Sequence, residues 1–317
     1  MIRPRRSVLY MPGSNSRALE KARNLPADGL IFDLEDAVAP DAKEMARRLV
    51  QQALSQGGYG EREILLRVNG TATAWGKDDL IAAAGSGAHG VLLPKVESAA
   101  MVQEAEAILK QAGAAEEQAI WCMMETPKGI LRAEEIAGSS PRLGGLVMGT
   151  SDLAKDLHAA HTAMRLPMLV SLGHCLLAAR AYGLAILDGV HLDLEDEEGF
   201  RQSCLQGREL GFDGKTLIHP KTIDTANAIF APSAAELAWA EKIIAAFDQA
   251  RAEGAGVVVV DGKLVEQLHV DAARRAVTLA GRIRLLSDQR IGDTRLAGLD
   301  MAGEAPDEAG LRGGCDP

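Results

Sequence analysis

Short runs of β-branched and aliphatic residues recur along the chain, at Val8–Met11, Gly29–Phe32, Ile64–Val68, Val91–Leu93, Ile120–Met124, Leu146–Met148, Ala185–Leu187 and Thr216–Ile218. Each has the length of a buried strand, and stretches of helical composition such as Ala42–Leu54, Ser98–Gln111 and Pro167–Tyr182 lie between them. Strands alternating with helices predict a parallel sheet. Eight such units predict an α/β fold of the TIM (β/α)8 barrel type. The rival architecture, an open doubly wound sheet, places a glycine-rich phosphate turn after its first strand. Met11-Pro12-Gly13-Ser14-Asn15 is not that fingerprint.

Polar residues fall where a barrel would use them. Asp33, Glu35 and Asp36 follow the second run, Arg67 and Asn69 close the third, and Lys95 and Glu97 follow the fourth. Glu125, Asp152, Asp188 and His219 follow later runs. The C-terminal ends of barrel strands share one face, so these groups are expected at a single mouth.

Beyond residue 230 the pattern changes to a helix–hairpin–helix extension. Ser233 to Glu253 reads as one helix, Val257–Val260 and Lys263–Val265 as a hairpin around Asp261-Gly262, and Val270 to Leu286 as an amphipathic helix. The expected division is a barrel over 1–230, an extension over 231–295 that packs on a neighbouring subunit, and a flexible tail over 296–317, which is poor in large apolar groups.

Composition narrows the class. A 47% hydrophobic and 25% charged chain is that of a folded globular protein. A net charge of −10 argues against nucleic acid as the main partner, since phosphate neutralisation needs clustered cations. Cys122, Cys175, Cys204 and Cys315 show no close pairing, which predicts reduced thiols in a cytoplasmic protein. The basic start from Met1 to Arg6 runs into a strand-like segment and Pro12-Gly13 rather than a signal peptide's apolar stretch. The apolar run Gly254 to Val260 is far short of the roughly 20 residues that span a bilayer, so no membrane association is expected.

Two strand-end carboxylates, Glu125 before Thr126-Pro127 and Asp152 after Gly149-Thr150-Ser151, make a candidate metal pair. Mg²⁺ takes one or two carboxylates and completes its octahedron with water and substrate oxygens. Histidine and cysteine are absent from both turns, which argues against zinc. The plainer alternative is that each carboxylate caps the following helix; for Asp152 alone that reading is favoured by roughly two to one. Arg67 has the right chemistry to clamp a carboxylate or offset an enolate, and the alternative is a pairing with the acids after the second strand. Arg17, Lys21, Lys43 and Arg47 are candidates for a cofactor's phosphates, although such residues are individually most often solvated surface charges. His219 is more often a structural histidine than a base, and His158 with His161 lacks the intervening glutamate of a zincin pair.

The motifs Arg6-Ser7-Val8-Leu9-Tyr10-Met11-Pro12-Gly13, Asp33-Leu34-Glu35-Asp36-Ala37-Val38, Leu66-Arg67-Val68-Asn69, Pro94-Lys95-Val96-Glu97, Met124-Glu125-Thr126-Pro127, Asp152-Leu153 and Gly211-Phe212-Asp213-Gly214-Lys215 stand in this order. Together they resemble the citrate lyase β-subunit and malyl-CoA lyase group of the HpcH/HpaI aldolase superfamily, over most of the chain. The resemblance implies a TIM barrel, a homotrimer or homohexamer, and a Mg²⁺-dependent carbon–carbon lyase. Its substrate would be a 3-hydroxyacyl-CoA of the malyl, citramalyl or citryl type, cleaved to an acyl-CoA and a 2-oxo acid. It implies Mg²⁺ on Glu125 and Asp152, with Mn²⁺ able to substitute, and an oxo-acid contact from Arg67. Many members carry an aspartate in a C-terminal hairpin that reaches the adjacent subunit's site as an acid/base. Here the aligned run is Gly262-Lys263-Leu264-Val265-Glu266, so Glu266 would take that role with one more methylene. Some relatives hydrolyse the CoA ester instead, and a subunit active only within a larger lyase complex is the third reading.

Overall fold

A computed structural model describes the backbone of residues 2–301 and the side chains of residues 2–289. β1 (Ser7–Pro12) pairs with β2 (Gly29–Asp33). The pairing continues in chain order through β3 (Glu63–Arg67), β4 (Gly90–Leu93), β5 (Ala119–Met124), β6 (Leu143–Met148), β7 (Ala185–Asp188) and β8 (Gly214–Leu217). Every pair is parallel, and β8 closes on β1 to complete a TIM barrel. The strands match the apolar runs, with β6 starting earlier at Leu143. Its first residues, Gly144 and Gly145, give no hydrophobic signal because Trp121 fills the space beside them. A Cβ on Gly145 would sit 2.4 Å from Trp121 Cζ3.

Side-chain alternation sorts the strands into two cores. Val8, Ile31, Leu65, Leu92, Trp121, Met123, Val147 and Leu187 fill the barrel interior. Their neighbours, such as Leu9, Leu30, Phe32, Leu66, Cys122 and Ile186, face the surrounding helices. Below the interior layer Arg5 closes the barrel floor, its guanidinium paired with Glu63 and stacked 5.0 Å from the Trp121 ring. Above it, the next inward positions on the same strands form the mouth.

The extension has its own core of Ala240, Ile243, Phe247, Val260, Val265, Val270 and Ala273. Helix Ala234–Ala252 starts at a capping box in which Ser233 and Glu236 satisfy each other's backbone N–H groups. The strands β9 (Val258–Val260) and β10 (Lys263–Val265) are joined by Asp261 and Gly262 at φ 51° and 75°, the left-handed pair a tight hairpin turn requires. The last helix is Gln267–Met301; it begins before Val270, and its first residues Gln267, Leu268 and His269 are exposed and so add nothing to the amphipathic pattern. Arg275 ties it to Asp213, just ahead of β8, at 3.0 Å. Helical backbone thus runs past residue 296, and the rest of the expected tail, 302–317 with Cys315, lies outside the described residues. Among the described residues, no helix is long and apolar enough to cross a membrane, and Cys122, Cys175 and Cys204 are buried and free.

The capping box gives a pH dependence with a definite sign. Hydrogen bonds from Ser233, backbone first, and then Arg208 push the Glu236 carboxyl down to about 2 from an ordinary 4.5. A folded value below the unfolded one means that this contribution is complete above about pH 4.5 and is lost as pH falls towards about 2. Glu236→Gln is therefore expected to lower Tm at pH 7, with the gap to wild type narrowing steadily in melts taken from pH 4.5 down to pH 3.

Candidate active site at the barrel mouth

Each central mouth residue stands two positions beyond an interior core residue: Tyr10 after Val8, Asp33 after Ile31, Arg67 after Leu65, Glu125 after Met123. They line one cavity of about 460 Å³ with Asp36, Thr150, Ser151, Asp152, Leu192 and Thr216. Asp33 and Arg67 are direct cross-strand partners in the β2–β3 ladder. Arg67 Nε donates to Asp33 Oδ1 at 2.6 Å and Nη2 to Oδ2 at 2.5 Å, a bidentate fork that fixes the guanidinium plane. The Tyr10 ring lies under it, 4.9 Å from Cζ. The remaining nitrogen, Nη1, lies 3.1 Å from Glu35 and 3.4 Å from Asp36, and Asp36 is 61% exposed. Burial opposes the Arg67 charge, but the Asp33 contacts outweigh it, so the guanidinium holds its proton more tightly than usual.

Lys95 links the carboxylates. Its backbone takes the left-handed φ of 48°, a strained conformation for a residue with a side chain. In that conformation its N–H donates to Glu125 Oε1 at 2.7 Å, while its ammonium lies 2.7 Å from Glu35 and 3.3 Å from Asp152. Glu125 is only 2% exposed. Burial pushes its carboxyl up to about 7, and the Lys95 amide and ammonium only partly offset that. Desolvation alone would also raise Asp152, yet Lys95 and Lys155 more than cancel it, leaving Asp152 below its ordinary value. Gly149 is necessary to this packing, since a Cβ there would meet Glu125 Cβ at 2.4 Å and Oε2 at 2.5 Å.

The donor set suits a hard divalent cation. Glu125 is a buried carboxylate whose proton-free form lacks sufficient compensation, and among the described residues Glu35 Oε2 and Ser151 Oγ are buried without a hydrogen-bond partner. The 3.1 Å ion pair of Glu35 Oε2 with Arg67 lacks hydrogen-bond alignment. Among the described residues no group of three or more His, Cys, Asp and Glu is arranged to hold a metal. Two carboxylates with open positions fit Mg²⁺, whose remaining ligands are water and substrate oxygens.

Residues 6–220, which contain the barrel and this mouth, match the family described as HpcH/HpaI aldolase/citrate lyase. The chain belongs to the HpcH/HpaI aldolase/citrate lyase family. A (3S)-malyl-CoA thioesterase of Cereibacter sphaeroides (strain KD131 / KCTC 12085) is 53% identical over 280 residues, 88% of this chain and 96% of that protein. The citrate lyase subunit beta of Escherichia coli (strain K12) is 38% identical over 283 residues, 88% of this chain and 94% of that one. The structure of CitE from Mycobacterium tuberculosis in complex with magnesium, acetoacetate and coenzyme A superposes with a TM-score of 0.71. It is 30% identical and covers 87% of this chain and 97% of its own.

In this HpcH/HpaI family member the mouth brings together Arg67, Glu125 and Asp152. Neither carboxylate is a helix cap: Thr126 caps the helix after β5, and Gly149 occupies the N-cap position before Asp152. The pairing of Arg67 with the acids after β2 holds alongside its place in the cavity. Other expected groups lie elsewhere. Arg17 and Lys21 are exposed on helix Ser16–Ala22 and do not line the cavity. Lys43 is corrected from a free phosphate-facing cation to a buried one, because its ammonium donates to the carbonyls of Leu34 and Glu35 and so supports the loop after β2. Arg47 is held by Asp79. Glu266 is exposed at the end of β10, with its backbone N–H bonded to His269, and within one chain it is not part of the mouth.

The expectation that all strand-end polar groups converge is corrected for Asn69, which bonds the Leu34 carbonyl and Asp79, for Glu97, which pairs with Lys128, and for Asp188 and His219. Asp188 follows the inward Leu187 and so points outward, where Arg165 and the buried Lys215 each bind it at 2.8 Å. His219 caps the turn at Lys221. His158 and His161 are both exposed. Lys95 is among the strand-end groups expected at the mouth, but neither its link between the carboxylates nor any role for Ser151 is readable from the sequence.

Proposed function

We propose that this chain acts on a malyl-type 3-hydroxyacyl-CoA in a Mg²⁺-dependent reaction at the barrel mouth. The observation that carries the reading is one cavity holding a buried carboxylate of raised pKa, a second carboxylate and a fixed guanidinium. Glu125 and Asp152 would hold the cation; the related CitE structure, in complex with magnesium, acetoacetate and coenzyme A, supports a magnesium-dependent reaction on a CoA ester. Bound there, a divalent cation supplies Lewis-acid polarisation of a substrate oxygen. Arg67 is held in plane by Asp33 and offers Nη1 to a substrate carboxylate, which displaces the exposed and longer contact to Asp36. Lys95 balances Glu35 and Asp152. The barrel interior below, with Trp121 and Met123, excludes water from beneath.

Two reactions use this arrangement. In hydrolysis, water oxygen bonds to the thioester carbon, the carbon–sulfur bond breaks, and the thiolate takes a proton. The 53% identity to a (3S)-malyl-CoA thioesterase favours this one. In carbon–carbon cleavage, the hydroxyl loses its proton and the adjacent bond breaks to give a 2-oxo acid. The acyl-CoA enolate left behind is protonated at carbon. The 38% identity to a citrate lyase subunit beta supports that second reading. It also gives Glu266 of a neighbouring subunit a role as the proton donor, within a homotrimer or homohexamer.

A product assay separates them. The full chain is incubated with malyl-, methylmalyl-, citramalyl- and citryl-CoA, with and without Mg²⁺, and free thiol and 2-oxo acid are scored separately. Metal-dependent thiol release without oxo acid is the expected result, from malyl-CoA first. Metal-dependent oxo acid makes the chain a lyase, and silence until other subunits are added makes it part of a larger complex. Metal-independent turnover contradicts the assignment of Glu125 and Asp152.

A further inference from the structure

A second concentration of charge lies at the opposite end of the barrel from the mouth. Arg3, Arg5, Arg180, Arg208 and Arg275 line a cavity of about 430 Å³ together with Asp213. The clustering stands out in a chain with a net charge of −10. The arginines come from separate places: the N-terminal segment, the last turns of helices Leu169–Ala181 and Glu197–Leu210, and the C-terminal helix. Arg5 is paired with Glu63 and Arg208 with Glu236, while Arg180 and Arg275 share Asp213. Among the described residues the guanidinium groups therefore outnumber the carboxylates that hold them, and Arg3 Nη1 is buried with no hydrogen-bond partner.

A buried, unpaired guanidinium N–H is costly to maintain, and five guanidinium groups lining one cavity repel one another where only three carboxylates offset them. A multivalent anion relieves both costs. Planar guanidinium forks match phosphoryl oxygens bidentately, and the cavity is of ordinary small-ligand size. We infer that this cavity is a second site, separate from the mouth, for a small phosphoanion carrying at least two phosphoryl groups. Because Arg275 belongs to the extension and the other four to the barrel, the ligand would join the two and hold the extension against the barrel floor.

The test is a calorimetric titration of the metal-free, full-length protein with sodium pyrophosphate at low salt. Wild type is compared with Arg3→Gln, Arg275→Gln and, as a mouth control, Glu125→Gln. Arg3→Gln removes the unpartnered group, and Arg275→Gln removes an exposed arginine while Asp213 keeps its contacts to Arg180 and the Ile186 N–H, so both variants are expected to fold, which a thermal melt checks. The expected result is saturable binding by wild type and by Glu125→Gln, weakened about tenfold or more in each arginine variant, as loss of one charge-assisted hydrogen bond predicts. Absence of binding to wild type, binding by both folded arginine variants as tight as wild type, or loss confined to Glu125→Gln would overturn the inference.

Discussion

If Glu125 holds the proposed cation, Glu125→Gln is expected to lower turnover of the accepted CoA ester by about a thousandfold or more, even at saturating Mg²⁺, a loss of roughly 4 kcal/mol of transition-state stabilisation. The fold should survive the change. Glutamine keeps an acceptor for the Lys95 amide, which reaches Glu125 Oε1 at 2.7 Å. It also removes a group whose ionised form is disfavoured by burial. The folded value near 7 lies above the ordinary 4.5, so the wild-type carboxylate loses stability as pH rises through that interval. The variant lacks this penalty, and its Tm at pH 8 in the absence of metal should equal or exceed that of wild type. Steady-state rates together with thermal melts check both halves. An inactive but equally stable variant is what a metal ligand predicts, whereas retained activity would leave Glu125 as packing.

Arg67→Met should behave differently, because it damages stability and activity together. Asp33 is buried, and its two oxygens accept from the Arg67 fork at 2.6 and 2.5 Å. Removing the guanidinium leaves a buried carboxylate with no counter-charge in that fork and, among the described residues, only the Glu35 and Ala37 backbone N–H groups to solvate it, at a cost of about 3–5 kcal/mol. Adding Asp33→Asn to Arg67→Met takes away the orphaned charge and should restore most of that loss in chemical denaturation. It should not restore kcat/KM, since the guanidinium proposed to receive the substrate carboxylate is gone. Recovery of activity in the double variant would show that Arg67 serves only to neutralise Asp33.

The barrel was legible because its strands are buried on both faces and read as uninterrupted apolar runs. The start of β6 was not, since Gly144 and Gly145 exist to make room for Trp121, a contact made across the β5–β6 pair. The mouth was partly legible for the same geometric reason. Arg67 and Glu125 lie an even number of residues beyond Leu65 and Met123, and so share their inward face. Asp188, one residue beyond the inward Leu187, breaks that parity and faces Lys215 instead. Strict alternation would have excluded it from the mouth. Lys43 and Lys95 were less accessible to sequence reasoning. A lysine that donates to loop carbonyls, or one strained into a left-handed turn to bridge two carboxylates, is recognisable only once its neighbours are in place.

The most direct test of the account is a Mn²⁺ titration followed by electron paramagnetic resonance on the full-length wild type, Glu125→Gln and Asp152→Asn. A cation site on Glu125 and Asp152 predicts one bound ion per chain in wild type, displaced by Mg²⁺, and affinity lower by about tenfold or more in each variant. Binding that is absent from wild type, or unchanged when both carboxylates are removed one at a time, would contradict it.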